Sequence, residues 1–254
     1  MTDGLSGAAM GCVRKGAALA FGAPALWGLG FLYGMSAILM RSALGGLADA
    51  IGARAGVEML SCVILFVPAC AAFVLSAAGL LFTIRGRLAA GEEAPQERAA
   101  RGYWGLALRL AALAPVFGAV IAAVLLPGSL IVRRLPMAAI AWTAASWFAA
   151  GCFLFLAPAI LAADSSGVRS AVAGAARFLA SWARFYRVLG IVMLFMIPAR
   201  AANIAIDSLA RAAGPTPMNW VLMALSSMAS GMAVAGILAA LMRFYAAQRP
   251  QAPA

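Results

Sequence analysis

The sequence predicts an all-α polytopic membrane protein with six transmembrane helices. Of its 254 residues, 65% are hydrophobic and only 11% are charged, whereas soluble domains are about half apolar and a quarter charged. Several apolar stretches reach the roughly 20 residues that a helix needs to cross the hydrocarbon core. None of them shows the alternation of a barrel strand. The composition excludes an ordinary soluble enzyme and leaves no room for a second, soluble domain.

Six apolar stretches follow one another in a single membrane domain. The predicted spans cover residues 17–40, 57–84, 110–132, 136–161, 188–206 and 220–242. Between the second and third spans, residues 85–101 form a strongly hydrophilic segment, which indicates a solvated loop. The Pro/Ala/Gln-rich residues 248–254 indicate a disordered tail.

The distribution of arginine and lysine predicts the orientation in the membrane. With six spans, 13 basic residues fall on the side of the two termini and 6 on the opposite side. The positive-inside rule then places both termini in the cytoplasm of a bacterial cell, with the chain in the inner membrane. The net charge of +11 needs no nucleic-acid partner, because arginines at span ends meet anionic lipid headgroups.

Residues 165–187 are predicted to form an amphipathic helix that lies in the membrane interface. The run Asp164-Ser165-Ser166 is typical of a helix start. A wheel at about 100° per residue places an apolar face opposite four arginines. The apolar face holds Val168, Val172, Leu179, Trp182, Phe185 and Tyr186. The arginine face holds Arg169, Arg177, Arg184 and Arg187. This helix is either structural or recognises an anionic lipid or partner.

A stripe of polar residues marks the end of the fifth predicted span. It consists of Arg200, Asn203, Asp207 and Arg211, which cover about 80° of a helical wheel. Asp207 and Arg211 have the spacing of an acid–base pair, and Glu58 lies on the same predicted side, where it can pair with Arg200. Polar stripes inside a bilayer face protein or water rather than lipid. The stripe indicates a wet cavity or a span that emerges early into solvent.

Two similar halves are also predicted. Residues 41–46 resemble residues 169–174, and the segment around Pro68 resembles that around Pro198, at offsets near half the chain length. Three spans in each half would make a 3+3 repeat inverted in the membrane, an arrangement common in transporters. Chance similarity between alanine- and leucine-rich segments is the alternative.

Two small-residue motifs predict close helix packing. Gly30 and Gly34 form a GxxxG motif, and Ser227 and Gly231 form a similar small-xxx-small motif. Small residues at this spacing allow two helix backbones to approach each other.

Neither a cofactor nor a catalytic centre is predicted. The chain has no histidine, and its four cysteines form no CxxC pair, so His-based metal or haem sites and Cys–His catalysis are excluded. The acidic residues near spans are Asp49, Glu58, Asp164 and Asp207. None has a second carboxylate at helical spacing, which argues against acid–base enzymes and metal-dependent lipid transferases.

The second half of the chain resembles YciC-like bacterial membrane proteins, mainly over residues 153–198. The resemblance rests on Leu156-Ala-Pro158-Ala-Ile-Leu161, Arg169-Ser170-Ala171, Phe178-Leu179, Trp182 and Arg187-Val-Leu-Gly-Ile191. These proteins are similar to the membrane domain beside some glycerophosphodiester phosphodiesterases. The resemblance implies a six-span helical fold and transfers no catalytic residue, because the hydrolase activity belongs to a soluble domain.

Two functions follow as hypotheses. The first is a non-enzymatic scaffold, assembly partner or envelope factor that contacts anionic lipids and other membrane-protein subunits. The alternative is a transporter or permease-like protein for a small, anionic or lipidic substrate, which the repeat and the polar stripe favour.

Overall fold

The computed structural model describes residues 3–53, 56–88, 96–131, 136–164, 167–213 and 217–248, and contains no strand within them. Eight helices occupy these ranges. They are α1 (Asp3–Phe21), α2 (Pro24–Ala53), α3 (Gly56–Leu88), α4 (Gln96–Ile131), α5 (Pro136–Asp164), α6 (Val168–Leu179), α7 (Trp182–Ala213) and α8 (Met218–Gln248). The all-α prediction is confirmed.

Five of the described helices are long and apolar enough to span a membrane. They belong to α3, α4, α5, α7 and α8. A sixth span results if the bent pair Ala9–Phe21 and Pro24–Leu47 is counted as one. The chain is therefore a multi-pass membrane protein.

The first predicted span, residues 17–40, is wrong as a single straight helix. The chain bends by 89° between α1 and α2. Pro24 causes the break, because proline lacks a backbone N–H and disfavours helical geometry in the residue before it. The indole nitrogen of Trp27 donates a hydrogen bond to the carbonyl oxygen of Phe21 at 3.1 Å. That bond satisfies a carbonyl at the end of α1 and stabilises the corner.

The single interfacial helix predicted for residues 165–187 is also wrong. The structure divides this segment into α6 and the first turns of α7. Asp164 ends α5, and Gly167, in an extended conformation, precedes α6 without a side-chain cap. Ser165 and Ser166, the rest of the predicted start, lie outside the described residues.

Part of the predicted solvated loop at residues 85–101 is helical. α3 continues to Leu88, α4 begins at Gln96, and residues 89–95 lie outside the described residues. A hydropathy argument does not distinguish polar helical turns of this kind from coil. The predicted tail begins at the last residue of α8, Gln248, and residues 249–254 lie outside the described residues.

α8 is the central helix, and the core lies at one end of the bundle. Helices α1, α2, α3, α5 and α7 all pack against α8, and every residue from Gly231 to Met242 is buried. The largest fully buried side chains include Leu26, Leu81, Ile84, Leu156, Ile160, Ile191, Ile237 and Phe244. These residues form one buried cluster with Ala171, Ala175 and Phe178 of α6, and we call this end of the molecule the α6 end.

The opposite end, which we call the far end, is loosely packed. Large apolar side chains are exposed on the same helices there. They include Val57, Ile64, Val67, Ile204, Leu209 and Trp220. In a bilayer such side chains meet lipid tails, which are as apolar as a protein core.

The two small-residue motifs pack against each other between these ends. A Cβ atom added to Gly231 would lie 2.6 Å from the Cα atom of Gly30, and one added to Gly34 would lie 2.8 Å from the Cα atom of Ser227. These distances leave no room for a side chain, so the prediction of close helix approach is confirmed. The contact holds the N-terminal third of α2 on the middle of α8.

The packing order of the first four helices resembles that of the last four. α1 packs on α8 as α5 packs on α4, α2 on α8 as α6 on α4, and α1 on α7 as α5 on α3. Pro68 lies in α3 and Pro198 in α7, the third helix of each set. α8 differs from α4 in that it also packs on α3 and α5. The inverted repeat itself stays a prediction.

Candidate functional site

A groove opens at the far end between α2, α7 and α8. Its volume is about 510 Å³, which lies within the usual range of ligand sites, about 300–1,000 Å³. Both α2 and α7 pack against α8, but within the described ranges their backbones do not pack against each other. α8 is therefore the back of the groove, α2 and α7 are its walls, and the gap between the walls faces sideways.

A hydrogen-bonded cluster lies in the groove. The side-chain amide of Asn203 donates to the hydroxyl oxygen of Ser230 at 2.8 Å. The hydroxyl of Ser226 donates to the amide oxygen of Asn203 at 3.1 Å. Both partners of Asn203 are on α8, one helical turn apart, so the cluster joins α7 to α8. Polar groups of this kind stabilise membrane helix pairs and also line water-filled cavities.

The contacts between helices fix the depth of each groove residue. Because α8 is antiparallel to both walls, Asn203 lies level with the turn between Ser226 and Ser230. With a rise of about 1.5 Å per residue, Arg200 lies about one turn deeper, near the level of Gly231. The bottom of the groove is therefore the contact between Gly30 and Gly231.

Arg41 marks the open end of the groove. It comes seven residues after Gly34, which packs on Ser227, so it lies about 10 Å nearer the far end. The axial separation of Arg41 and Arg200 is then about 16 Å, roughly half of the 30 Å hydrocarbon core. The polar lining is thus about half as long as the hydrocarbon core is thick.

Two arginines and one carboxylate line the groove. Arg41, Arg200 and Asp207 are all exposed, and their formal charges leave one net positive charge. Asp207 lies between the two arginines in depth, one turn beyond Asn203. An exposed cation near either end of a narrow groove attracts a negatively charged group.

Of the five polar-stripe residues that the sequence predicts, the groove brings three together. Arg200, Asn203 and Asp207 line it, whereas Arg211 and Glu58 do not. The expected ion pairs do not form: within the described ranges, no carboxylate oxygen of Asp207 or Glu58 lies within 4.0 Å of an arginine nitrogen. Glu58 is on α3 and Arg200 on α7, and these two helices do not pack against each other in those ranges.

Four polar residues of the groove were not assigned to this site from the sequence. They are Arg41, Ser42, Ser226 and Ser230. The first two appear in the half-chain repeat, and the last two lie within or beside the Ser227–Gly231 motif. The signal that could have found them is the Gly30–Gly34 motif, because pairing it with Ser227 and Gly231 brings Arg41 near the start of α8.

The predicted lipid-contacting arginines are distributed along α6 and the first two turns of α7. Arg169 and Arg177 are exposed on α6, and Arg187 is half-buried on α7. The guanidinium carbon of Arg184 lies 5.1 Å from the centre of the Phe178 ring, within cation–π range. α6 thus presents two exposed cations, and Arg184 of α7 is held against a core aromatic ring.

Aromatic rings extend this surface and attach α6 to α8. Trp182 and Tyr186 stack at 5.9 Å and are 72% and 61% exposed. Phe178 packs edge-on against Phe244. Exposed Trp and Tyr at a span end are typical of the membrane–water interface.

In comparisons with known proteins, the chain matches no family model, no curated protein and no solved structure.

Proposed function

We propose that this multi-pass membrane protein acts as a non-enzymatic permease-like protein that admits a polar or anionic substrate halfway across the bilayer. The observation that carries the proposal is the groove between α2 and α7, which is lined by Arg41, Arg200 and the Asn203 cluster. A purely structural scaffold needs no polar lining about 16 Å deep. Of the two functions that the sequence leaves open, the geometry favours the second.

The arrangement of the helices supports the same proposal. Transporters commonly consist of two similar halves with a polar site near the bilayer midplane. Here the packing order of α1–α4 resembles that of α5–α8, and the groove ends near the middle of α8. Because the groove is open at the far end and closed at the α6 end, a substrate can enter it from one side of the membrane only.

Orientation and partners complete the proposal. The positive-inside rule places the α6 end and both termini in the cytoplasm of a bacterial inner membrane. Arg169 and Arg177 then lie at the cytoplasmic surface, where anionic headgroups bind them. A reporter fused after Gln248 should be active in the cytoplasm. Kinship with YciC-like proteins stays a prediction.

Thiol modification tests the groove directly. In a background without the four native cysteines, Ser226→Cys should react with a membrane-impermeant anionic methanethiosulfonate faster than with its cationic counterpart, because net positive charge lines the groove. Ile204→Cys, on the exposed apolar surface of α7 outside the groove, should react with neither. The proposal fails if Ser226→Cys is unreactive or prefers the cationic reagent.

A further inference from the structure

We infer that the groove binds an anionic membrane phospholipid, whose phosphodiester headgroup enters sideways between α2 and α7. This inference rests on the proposed function and names its substrate class. The first support is the shape of the site. Because α2 and α7 both pack on α8 without meeting each other in the described ranges, the gap between them opens toward the bilayer, and a lipid can enter without leaving the membrane.

The polar lining matches a headgroup. Arg41 at the open end and Arg200 at the bottom each offer a guanidinium group that recognises phosphate oxygens. The hydroxyls of Ser42 and Ser226 add hydrogen-bonding groups between them. Asp207 reduces the net charge of the lining to one positive charge. A monoanionic phosphodiester therefore fits the charge balance better than a dianionic free phosphate.

The apolar surroundings match the acyl chains. Ile38 lines the groove on α2, and Ile206 lines it on α7. Next to them, Leu39 and Ile204 are exposed on the outer surfaces of the two walls. A headgroup in the groove would thus leave its chains against aliphatic side chains, as in the surrounding bilayer.

The α6 end limits how far such a lipid can move. α1 packs on α8 at Gly16 and Ala240 and also contacts α2 and α7. It therefore bridges the two walls at the end where the groove is closed. The Gly30–Gly231 contact at the bottom of the groove also blocks movement of the lipid toward the α6 end. The lipid is held in the far half of the membrane in this conformation.

Lipid titration followed by thermal unfolding tests the inference. Phosphatidylglycerol added to the purified protein in detergent should raise the Tm saturably, whereas phosphatidylcholine and soluble glycerol 3-phosphate should not. Replacing both groove cations (Arg41→Gln with Arg200→Gln) should raise the midpoint concentration about tenfold or more, since each loses a charge-assisted hydrogen bond. Arg211→Gln, on the same helix but outside the groove, should change it less than about twofold.

Each alternative outcome has a definite meaning. Equal, arginine-dependent stabilisation by glycerol 3-phosphate would assign the groove to a soluble anion, which overturns this inference and leaves the proposed function intact. Equal weakening by Arg211→Gln and by the double replacement would show general attraction of lipid to the surface and overturn it as well, as would no shift with phosphatidylglycerol. Because every shift is measured from the lipid-free Tm of the same variant, a loss of stability alone does not imitate the result.

Discussion

The two halves of α8 lie in different surroundings. From Gly231 to Met242 every residue is buried among five other helices, whereas Trp220, Val221 and Leu225 are exposed at the other end of the helix. The half from Gly231 to Met242 is held by side-chain packing, and the half nearer the far end is held by the contact of Ser227 with Gly34 and by polar contacts with α7. Stability is therefore concentrated at the α6 end, which leaves the far end free to form a groove.

Separating α2 from α8 at Gly231, the boundary between the two halves of α8, should cause the largest loss of stability. Gly231→Leu places a side chain against the backbone of Gly30, so α2 must move away from α8. We expect a loss of about 3 kcal/mol in denaturant unfolding from mixed micelles. Gly28→Ala, with nothing within 4 Å of its added Cβ, should be neutral or stabilising by under about 1 kcal/mol. Similar losses in both variants would contradict the close contact.

A matched pair on α3 compares the two ends directly. Ile84 is fully buried at the α6 end, and Ile64 is 64% exposed at the far end. Ile84→Ala should cost about 2 kcal/mol through lost packing, and Ile64→Ala under about 0.5 kcal/mol, because lipid replaces the lost contact. Denaturant unfolding from mixed micelles measures the loss of stability in both variants. Equal costs would mean that the far end is packed as tightly as the α6 end.

The polar cluster should contribute less than the core. Asn203→Leu removes the hydrogen bonds to Ser226 and Ser230 and should cost about 1 kcal/mol. Ser208→Ala, which loses only a local bond to the carbonyl of Ile204 on the same helix, should cost under about 0.5 kcal/mol. A larger loss for Ser208→Ala would show that the cluster does not join the helices.

The smallest effect is expected where the sequence suggested an ion pair. Asp207 and Arg211 are both exposed, and the described chain has no ion pair between them. A double-mutant cycle of Asp207→Ala and Arg211→Ala should give a coupling energy under about 0.5 kcal/mol. A coupling energy above about 1 kcal/mol would show that Asp207 and Arg211 do form the ion pair that the sequence predicts.

The sequence predicted what depends on local composition. Apolar length placed five of the spans, and the small-residue motifs placed the contact between Gly30 and Gly231. The bend before Pro24 was missed because the apolar stretch continues through it. Helical periodicity joined α6 to α7 in error, because the turn between them interrupts neither the apolar nor the arginine pattern.

The groove was only half predictable, for a physical reason. Arg200, Asn203 and Asp207 share one helix face, so their spacing reveals them. Arg41 and Ser226 come from helices distant in the chain, and no local pattern tells which helices flank α8. Glu58 was expected near Arg200 only because both residues lie on the same predicted side of the membrane, and a shared side does not imply contact.

The native methionines of α8 provide the most direct test of the central claim, that water enters the far end and stops at the Gly30–Gly231 contact. Met218 and Met223 are 56% and 36% exposed at the far end, and Met232 and Met242 are 4% and 3% exposed beyond that contact. Hydroxyl-radical footprinting in lipid nanodiscs should oxidise Met218 and the groove-lining Met223 readily and leave Met232 and Met242 protected. Protection of Met223 equal to that of Met232 would show a dry, closed far end and contradict the account.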